Sequence, residues 1–116
     1  MVKKEIKNII WIIFKSIYDF HIDEEKPKRK NHKNFVNDMT NYIKQNFKPQ
    51  DKELPMPKII TLSKYSNKLD DLSKIIWLTL RDNCNFITTT DKPVSYKQQT
   101  LVHNLSKYIQ KNFLTK

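Results

Sequence analysis

The chain contains no glycine among its 116 residues. Phosphate-cradling loops, nucleophile elbows and dinucleotide-binding turns need glycine where the backbone approaches a ligand or takes a positive φ. None of these sites can be built here in its usual form. No serine, threonine or cysteine lies in a motif that would mark it as an activated nucleophile. We therefore expect a protein that is not an enzyme.

Cysteine is almost absent, since Cys84 is the only one. A single thiol excludes an internal disulfide and fits a reducing compartment, so we expect a cytoplasmic or nuclear, intracellular protein. His21, His32 and His103 show no metal-ligand spacing with one another or with Cys84. The sequence predicts neither a metal site nor a cofactor.

Long hydrophobic runs are also missing. The apolar stretch 9–14 is bracketed by Lys7 and Lys15, and it falls far short of the roughly 18 apolar residues that a membrane span needs. We expect a soluble core helix there and no membrane partner.

Arginine is scarce, because only Arg29 and Arg81 among the 22 basic residues are arginines and the rest are lysines. The formal net charge of the chain is nevertheless +10. A basic surface attracts phosphates by releasing their counterions. Arginine, however, is the residue that reads guanine edges and holds phosphates bidentately. The abundance of lysine, isoleucine and asparagine is also what an AT-rich coding sequence produces. Contact with a nucleic-acid backbone is therefore favoured over base-specific readout.

What the chain does contain is an internal repeat with an offset of 66 positions. Its first copy is Val36, Met39, Tyr42, Ile43 and Phe47, and its second copy is Val102, Leu105, Tyr108, Ile109 and Phe113. The same offset aligns Ile9, Ile10 and Trp11 with Ile75, Ile76 and Trp77, Phe20 with Phe86, and Lys26-Pro27 with Lys92-Pro93. This self-similarity predicts a tandem duplication.

Each copy has the pattern of two helices. Apolar residues at 3.6-residue spacing predict a first helix over 3–20 and its counterpart over 68–83. The second helix of the first copy is predicted from about residue 31 to residue 47. In the second copy, Ser95 and Gln98 match a capping box, so the helix should begin there and continue to Phe113.

The predicted fold is all-α, a pseudo-two-fold four-helix core in a single domain, 1–116. Repeat one covers 1–50, the linker 51–66 and repeat two 67–116. Two helices cannot bury both of their faces alone, so the repeats should pack together as a monomeric pseudo-dimer. The apolar run Lys58 to Leu62 predicts that the linker docks on the core as a short strand or helical turn. Segments 19–23 and 85–90 favour extended structure and allow a short two-stranded contact between the repeats.

Three groups of residues have structural roles in this prediction. Trp11 and Trp77 occupy equivalent positions beside apolar neighbours, which favours burial over base stacking. Tyr42 and Tyr108 should lie at the core edge, with hydroxyls that reach water or a carbonyl. Asp70 and Asp71, at the start of the third helix, fit stabilisation of a helix N-terminus better than a catalytic carboxylate pair.

The candidate binding site is the basic run before the second helix. It consists of Lys26, Lys28, Arg29, Lys30 and Lys33. Such a run can hold a phosphate backbone, and Pro-terminated basic runs also resemble nuclear-import signals. The alternative is a solvated loop that the neighbouring acidic residues 23–25 neutralise. The equivalent connector, with Lys92 and Lys97, has lost most of this charge.

The predicted function is therefore that of a small, basic, non-enzymatic accessory protein, of the viral, plasmid or ribosome-associated kind. It would bind the backbone of DNA or RNA without strong sequence specificity. The alternative is a helical protein–protein interaction or inhibitor module whose partner is another protein. The two differ in salt response, because phosphate contacts weaken steeply with salt and an apolar interface does not.

Overall fold

The computed structural model describes residues 5–18, 27, 29–50, 53–60, 70–84, 93 and 95–116. Within these residues the chain is mostly helical, with four helices and one two-stranded sheet. The helices are α1 (Ile6–Tyr18), α2 (Lys30–Asn46), α3 (Asp71–Cys84) and α4 (Tyr96–Asn112), and the strands are β1 (Phe47–Pro49) and β2 (Phe113–Thr115). The predicted helical class is confirmed, with the small sheet added to it.

The helices enclose one apolar core. Helix α1 packs against α2 and α4, and α3 packs against the same two helices. The two tryptophans lie at the centre, since Trp11 is 1% exposed and Trp77 is fully buried. Their predicted burial is confirmed. Each large apolar side chain that is removed from water here contributes roughly 1.5–3 kcal/mol of stabilisation.

The starts of α3 and α4 are capped by side chains. The Asp70 carboxylate accepts a hydrogen bond of 2.8 Å from the Ser73 backbone N–H. The Ser95 hydroxyl accepts a bond from the Gln98 N–H, and the Gln98 amide oxygen accepts one from the Ser95 N–H. These bonds satisfy N–H groups that have no partner within the helix. The helix-start role of Asp70 and the capping box at Ser95 are both confirmed.

The ends of α2 and α4 differ from the prediction. We expected helix up to Phe47 and Phe113, but both residues are extended, with φ of −137° and −129°. Each begins a strand, and the two strands pair antiparallel with Lys48 opposite Leu114. Hydrogen bonds of 2.9 Å lengthen the ladder at both ends, from the Gln50 N–H to the Asn112 carbonyl and from the Lys116 N–H to the Asn46 carbonyl. The two-stranded contact therefore joins 47–49 to 113–115, whereas the predicted segments 19–23 and 85–90 lie outside the described residues.

Residues 53–60, which we call the docked segment, lie against α4. The Tyr108 hydroxyl donates a hydrogen bond of 2.7 Å to the Pro55 carbonyl. Asn104 binds both backbone groups of Ile60, accepting from its N–H at 2.7 Å and donating to its carbonyl at 3.0 Å. Residues 58–60 form neither the strand nor the helical turn that we predicted, and residues 61–62 lie outside the described part. One side-chain amide replaces regular secondary structure in holding this segment.

Candidate nucleic-acid interface

Three of the five predicted binding residues lie at the start of α2. Arg29 is the N-cap residue, and Lys30 and Lys33 follow in the first turn, with all three side chains exposed. The first turn contains no acidic residue, and the Arg29 side chain makes no capping hydrogen bond. Lys26 and Lys28 lie outside the described residues. The structure thus brings Arg29, Lys30 and Lys33 together at the positive end of a helix dipole.

His32 belongs to the same basic run but points away from it. Its half-buried ring lies 5.0 Å from the Phe14 ring and 6.0 Å from the Trp11 ring, measured between centroids. These aromatic contacts attach the first turn of α2 to α1. Lys30 and Lys33 are turned outward as a result, because neighbouring positions on a helix point in different directions.

A polar stripe continues from these lysines along α2. Successive members are three or four residues apart, except for one adjacent pair, so they share one side of the helix. We call this stripe the α2 face, and its exposed members are Lys30, Lys33, Asn34, Asn37, Asn41 and Lys44. It is about 21 Å long at 1.5 Å per residue. Sequence reasoning found only its N-terminal end, although the spacing of these residues would have indicated the rest.

The carboxylate of Asp38 lies at the edge of the α2 face. It accepts a hydrogen bond of 2.9 Å from the Asn83 side-chain amide, which directs it toward α3. Neither Lys30, Lys33 nor Lys44 makes an ion pair with another described residue. The middle of the α2 face therefore carries the neutral amides of Asn34, Asn37 and Asn41, with the exposed Asp38 carboxylate beside them.

The corresponding side of α4 is not open in this way. Thr100 and Asn104 are each 4% exposed, and Asn104 is covered by Ile60 of the docked segment, which it binds. Lys97 is exposed in the first turn, while Lys92 lies outside the described residues. The helices that follow these two basic segments thus present different surfaces.

The exposed edge of α4 carries its own group of titratable residues. Burial lowers the pKa of His103, and the neighbouring Lys107 lowers it further, while Asp70 opposes both. Burial raises the pKa of Asp70, but hydrogen bonds from Ser73 and Gln110, together with the charge of Lys107, outweigh that effect and leave it lowered. Across the described ranges, no three His, Cys, Asp or Glu side chains are grouped so that they could hold a metal ion.

Comparison with known proteins adds no family to this description: no family model matches the chain, and no curated protein or solved structure matches it. In the described part of the chain, none of the helices has the length and apolar character that crossing a membrane requires.

Proposed function

We propose that this protein is a small, non-enzymatic nucleic-acid-binding protein that contacts the phosphate backbone of DNA or RNA through the α2 face. The observation that carries the proposal is a helix start that presents Arg29, Lys30 and Lys33 to solvent without a side-chain cap. The N–H groups of such a start point outward, and the helix dipole favours an anion there. A phosphate would relieve the unfavourable placement of three cations at this end.

The rest of the α2 face suits the same ligand. Asn34, Asn37 and Asn41 offer amide donors to phosphate oxygens, and Lys44 adds a cation at the far end. A stripe about 21 Å long would extend along about six base pairs of duplex if it lay parallel to the axis. Lysines and short amides suit backbone contact better than guanine readout, for which arginine is the usual residue.

The hydroxyl groups in the helices support a non-enzymatic role. Thr40, Thr79 and Thr100 each donate to the backbone carbonyl four residues earlier, at 2.6, 2.8 and 2.7 Å. Ser16 does the same at 2.6 Å. Each of these four hydroxyls gives its hydrogen to a backbone carbonyl and not to a base that could activate it as a nucleophile.

The test is fluorescence anisotropy with generic duplex DNA and duplex RNA over a range of salt concentrations. Replacing Lys28, Arg29, Lys30 and Lys33 with Ser should weaken binding to all sequences alike. Each lost phosphate contact on duplex DNA should flatten the log–log salt dependence by about 0.9, so losing three or four contacts in the quadruple variant should flatten it by about three units.

The matched control changes the equivalent connector, with Lys92→Ser and Lys97→Ser. It should reduce affinity much less, because that connector carries less charge and α4 is capped by Ser95. Circular dichroism checks that both variants remain helical. An unchanged affinity and salt slope in the quadruple variant would leave the basic run as a solvated loop.

A specific observation favours the second candidate function, a protein-interaction module. Met56, Ile59 and Ile60 of the docked segment are 59%, 39% and 49% exposed. Their backbone is anchored through Pro55 and Ile60, so these apolar side chains are presented on a fixed support. Contiguous exposed apolar groups are typical of protein contact sites. Binding through them alone would respond little to salt.

We also propose that the architecture is a tandem duplication with pseudo-two-fold symmetry. Support comes from α2 and α4, which have 17 residues each and begin 66 positions apart. The opposed pair Lys48 and Leu114 is separated by the same offset, and the pairs on either side exchange under a two-fold axis through it. In an experimental structure, residues 30–49 with α1 should superpose on 96–115 with α3. Unrelated helix directions in the two halves would rule out this proposal.

A further inference from the structure

A second candidate binding site lies between the docked segment and helices α1 and α4. A cavity of about 320 Å³ lies between Ile13 of α1, the docked segment and α4. Its apolar lining includes Ile13, Met56 and Pro57, and its basic lining consists of Lys58, Lys107 and Lys111. We call it the linker cleft.

The walls of the linker cleft are held by hydrogen bonds. Asn104 is 4% exposed, and its side chain binds the N–H and carbonyl of Ile60 and also donates to the Thr100 carbonyl at 2.7 Å. Tyr108 holds the other side through the Pro55 carbonyl. The segment is thus fixed by hydrogen bonds at two points five residues apart, and Leu54 packs against the core beside them. Such a site is preorganised, which lowers the entropic cost of binding.

The charges around the cleft select its ligand. Three lysines line it, and none of the described residues in its lining is a carboxylate. Asp70 interacts electrostatically with Lys107, but it binds Ser73 and Gln110 and lies outside the lining. Potentials of one sign attract a ligand of the other. The ligand should therefore be anionic.

The apolar lining restricts the ligand further. A sugar–phosphate backbone would place charged groups against Ile13, Met56 and Pro57, which costs desolvation energy without a compensating contact. A large apolar side chain fits there, and methionine adapts to different shapes. We infer that the linker cleft binds an acidic peptide segment of another protein, with one large apolar side chain in the cavity and its carboxylates on Lys58, Lys107 and Lys111. This inference gives the protein-interaction function a site and a partner chemistry, and it does not depend on nucleic-acid binding by the α2 face.

The experiment is selection of a displayed library of short random peptides on the folded full-length chain. Selected peptides should be acidic and contain a large apolar residue. A fluorescent copy of a selected peptide is then titrated by anisotropy with the wild-type protein and with three variants. The peptide with its apolar residue changed to Ser, and the peptide with its carboxylates changed to amides, should each bind more weakly.

The variants separate this site from the α2 face. Lys107→Ser with Lys111→Ser should weaken peptide binding by roughly 3- to 10-fold, as expected for two partly screened charge contacts. Met56→Ser should weaken it by roughly 10-fold through lost apolar contact. The control, Lys30→Ser with Lys33→Ser, removes the same charge from the α2 face and should leave peptide binding unchanged. All five side chains are exposed, so folding should be retained.

The outcomes are distinct. Enrichment of acidic, apolar peptides that lose affinity only in the cleft variants supports the inference. It is overturned if no peptides are enriched, if the selected peptides are not acidic, or if the cleft variants bind as tightly as the wild type. Equal weakening by the control pair would also overturn it, because the surface would then attract anions generally. Failure of the nucleic-acid test affects only the α2 face.

Discussion

Helices α2 and α4 have the same length, and each is followed by a strand of the same sheet, but they differ in how many of their residues are buried. Five residues of α2 are buried, in one stripe. Seven residues of α4 are buried, and the two additional positions are Thr100 and Asn104. Their counterparts at an offset of 66 are Asn34 and Asp38, which are exposed. The docked segment accounts for the burial of Asn104, which binds Ile60, whereas the α2 face stays open.

Helices α1 and α3 differ in a similar way, because α1 has buried apolar residues at two positions where α3 has polar ones. Ile13 and Ile17 of α1 are both buried, and Ile13 lines the linker cleft beside α4. Their counterparts in α3 are Thr79 and Asn83, which are half-buried and polar. Apolar residues are found where a segment covers the groove, and polar residues where water reaches it. One asymmetric connection can therefore give two similar helices different surfaces, and different surfaces can bind different partners.

The largest expected effect lies where the two helices are alike. Phe35 and Leu101 occupy equivalent core positions, and both are fully buried. Phe35→Ala and Leu101→Ala should each lower the free energy of unfolding by about 2–5 kcal/mol through lost burial and a residual cavity. Chemical denaturation monitored by circular dichroism measures both. If one of the two changes cost less than about 1 kcal/mol, the shared core would not have the contacts described here.

The next effect tests where the helices differ. Asn104→Ala removes hydrogen bonds to Ile60 and Thr100 and should cost about 1–3 kcal/mol, because it leaves buried polar groups unpaired. The matched change Asp38→Ala affects an exposed side chain and should alter stability by no more than about 0.5 kcal/mol. Equal costs would mean that the docked segment does not distinguish the two sides.

A smaller effect compares the starts of the two helices. Arg29 and Ser95 have nearly the same extended backbone, with φ of −76° and −82°. A serine at position 29 can therefore cap α2, so Arg29→Ser should add about 1 kcal/mol of stability, whereas Ser95→Ala should remove about 1 kcal/mol. Thermal unfolding measures both changes. If Arg29→Ser both raises stability and weakens nucleic-acid binding, Arg29 contributes to binding at the cost of a stabilising helix cap. That result would support the proposed function.

The smallest effect concerns the tyrosines at the core edge. Tyr108→Phe removes the hydrogen bond to Pro55 and should cost about 0.5–1 kcal/mol near neutral pH. Burial raises the pKa of Tyr108 to about 12. The folded state therefore favours the neutral phenol, so this contribution is complete below the unfolded pKa of about 10 and is lost as pH rises toward 12. Tyr42→Phe is the control.

Ultraviolet titration provides the measurement for this prediction. The absorbance change of one tyrosine should move to higher pH in the folded protein and disappear in Tyr108→Phe. If the Tyr108→Phe change removes no absorbance step above pH 10, the Tyr108 hydroxyl is not buried as described here.

The helical class, the buried tryptophans and the helix-capping groups could be predicted from the sequence because each depends on local pattern. Apolar spacing places Trp11 and Trp77 on inward faces, and the Ser95–Gln98 spacing identifies a cap. The ends of α2 and α4 were each predicted one residue too far along the chain. Phe47 and Phe113 continue the apolar periodicity, but pairing between distant strands moves them out of the helix. That pairing is a tertiary effect, and no window around either phenylalanine contains it.

Of the two candidate sites, one could be predicted from local sequence and the other could not. The basic run was visible because Arg29, Lys30 and Lys33 are close in sequence. The linker cleft was not, since Ile13, Lys58 and Lys107 come from three separate regions of the chain. Asn104 carried no sequence signal, because an asparagine within a helix is usually exposed.

The hydrogen bonds at the two ends of the β1–β2 ladder allow their amides to report separation of the two halves of the chain. The Gln50 and Lys116 N–H groups each bond to a carbonyl at the end of the helix in the other half of the chain, at Asn112 and Asn46. Neither bond can survive a separation of the two halves, even if all four helices stay intact. Hydrogen exchange at these two amides should therefore report opening between the halves, while amides inside the helices report their local unfolding. A ligand that bound both halves at once would slow exchange at Gln50 and Lys116 together.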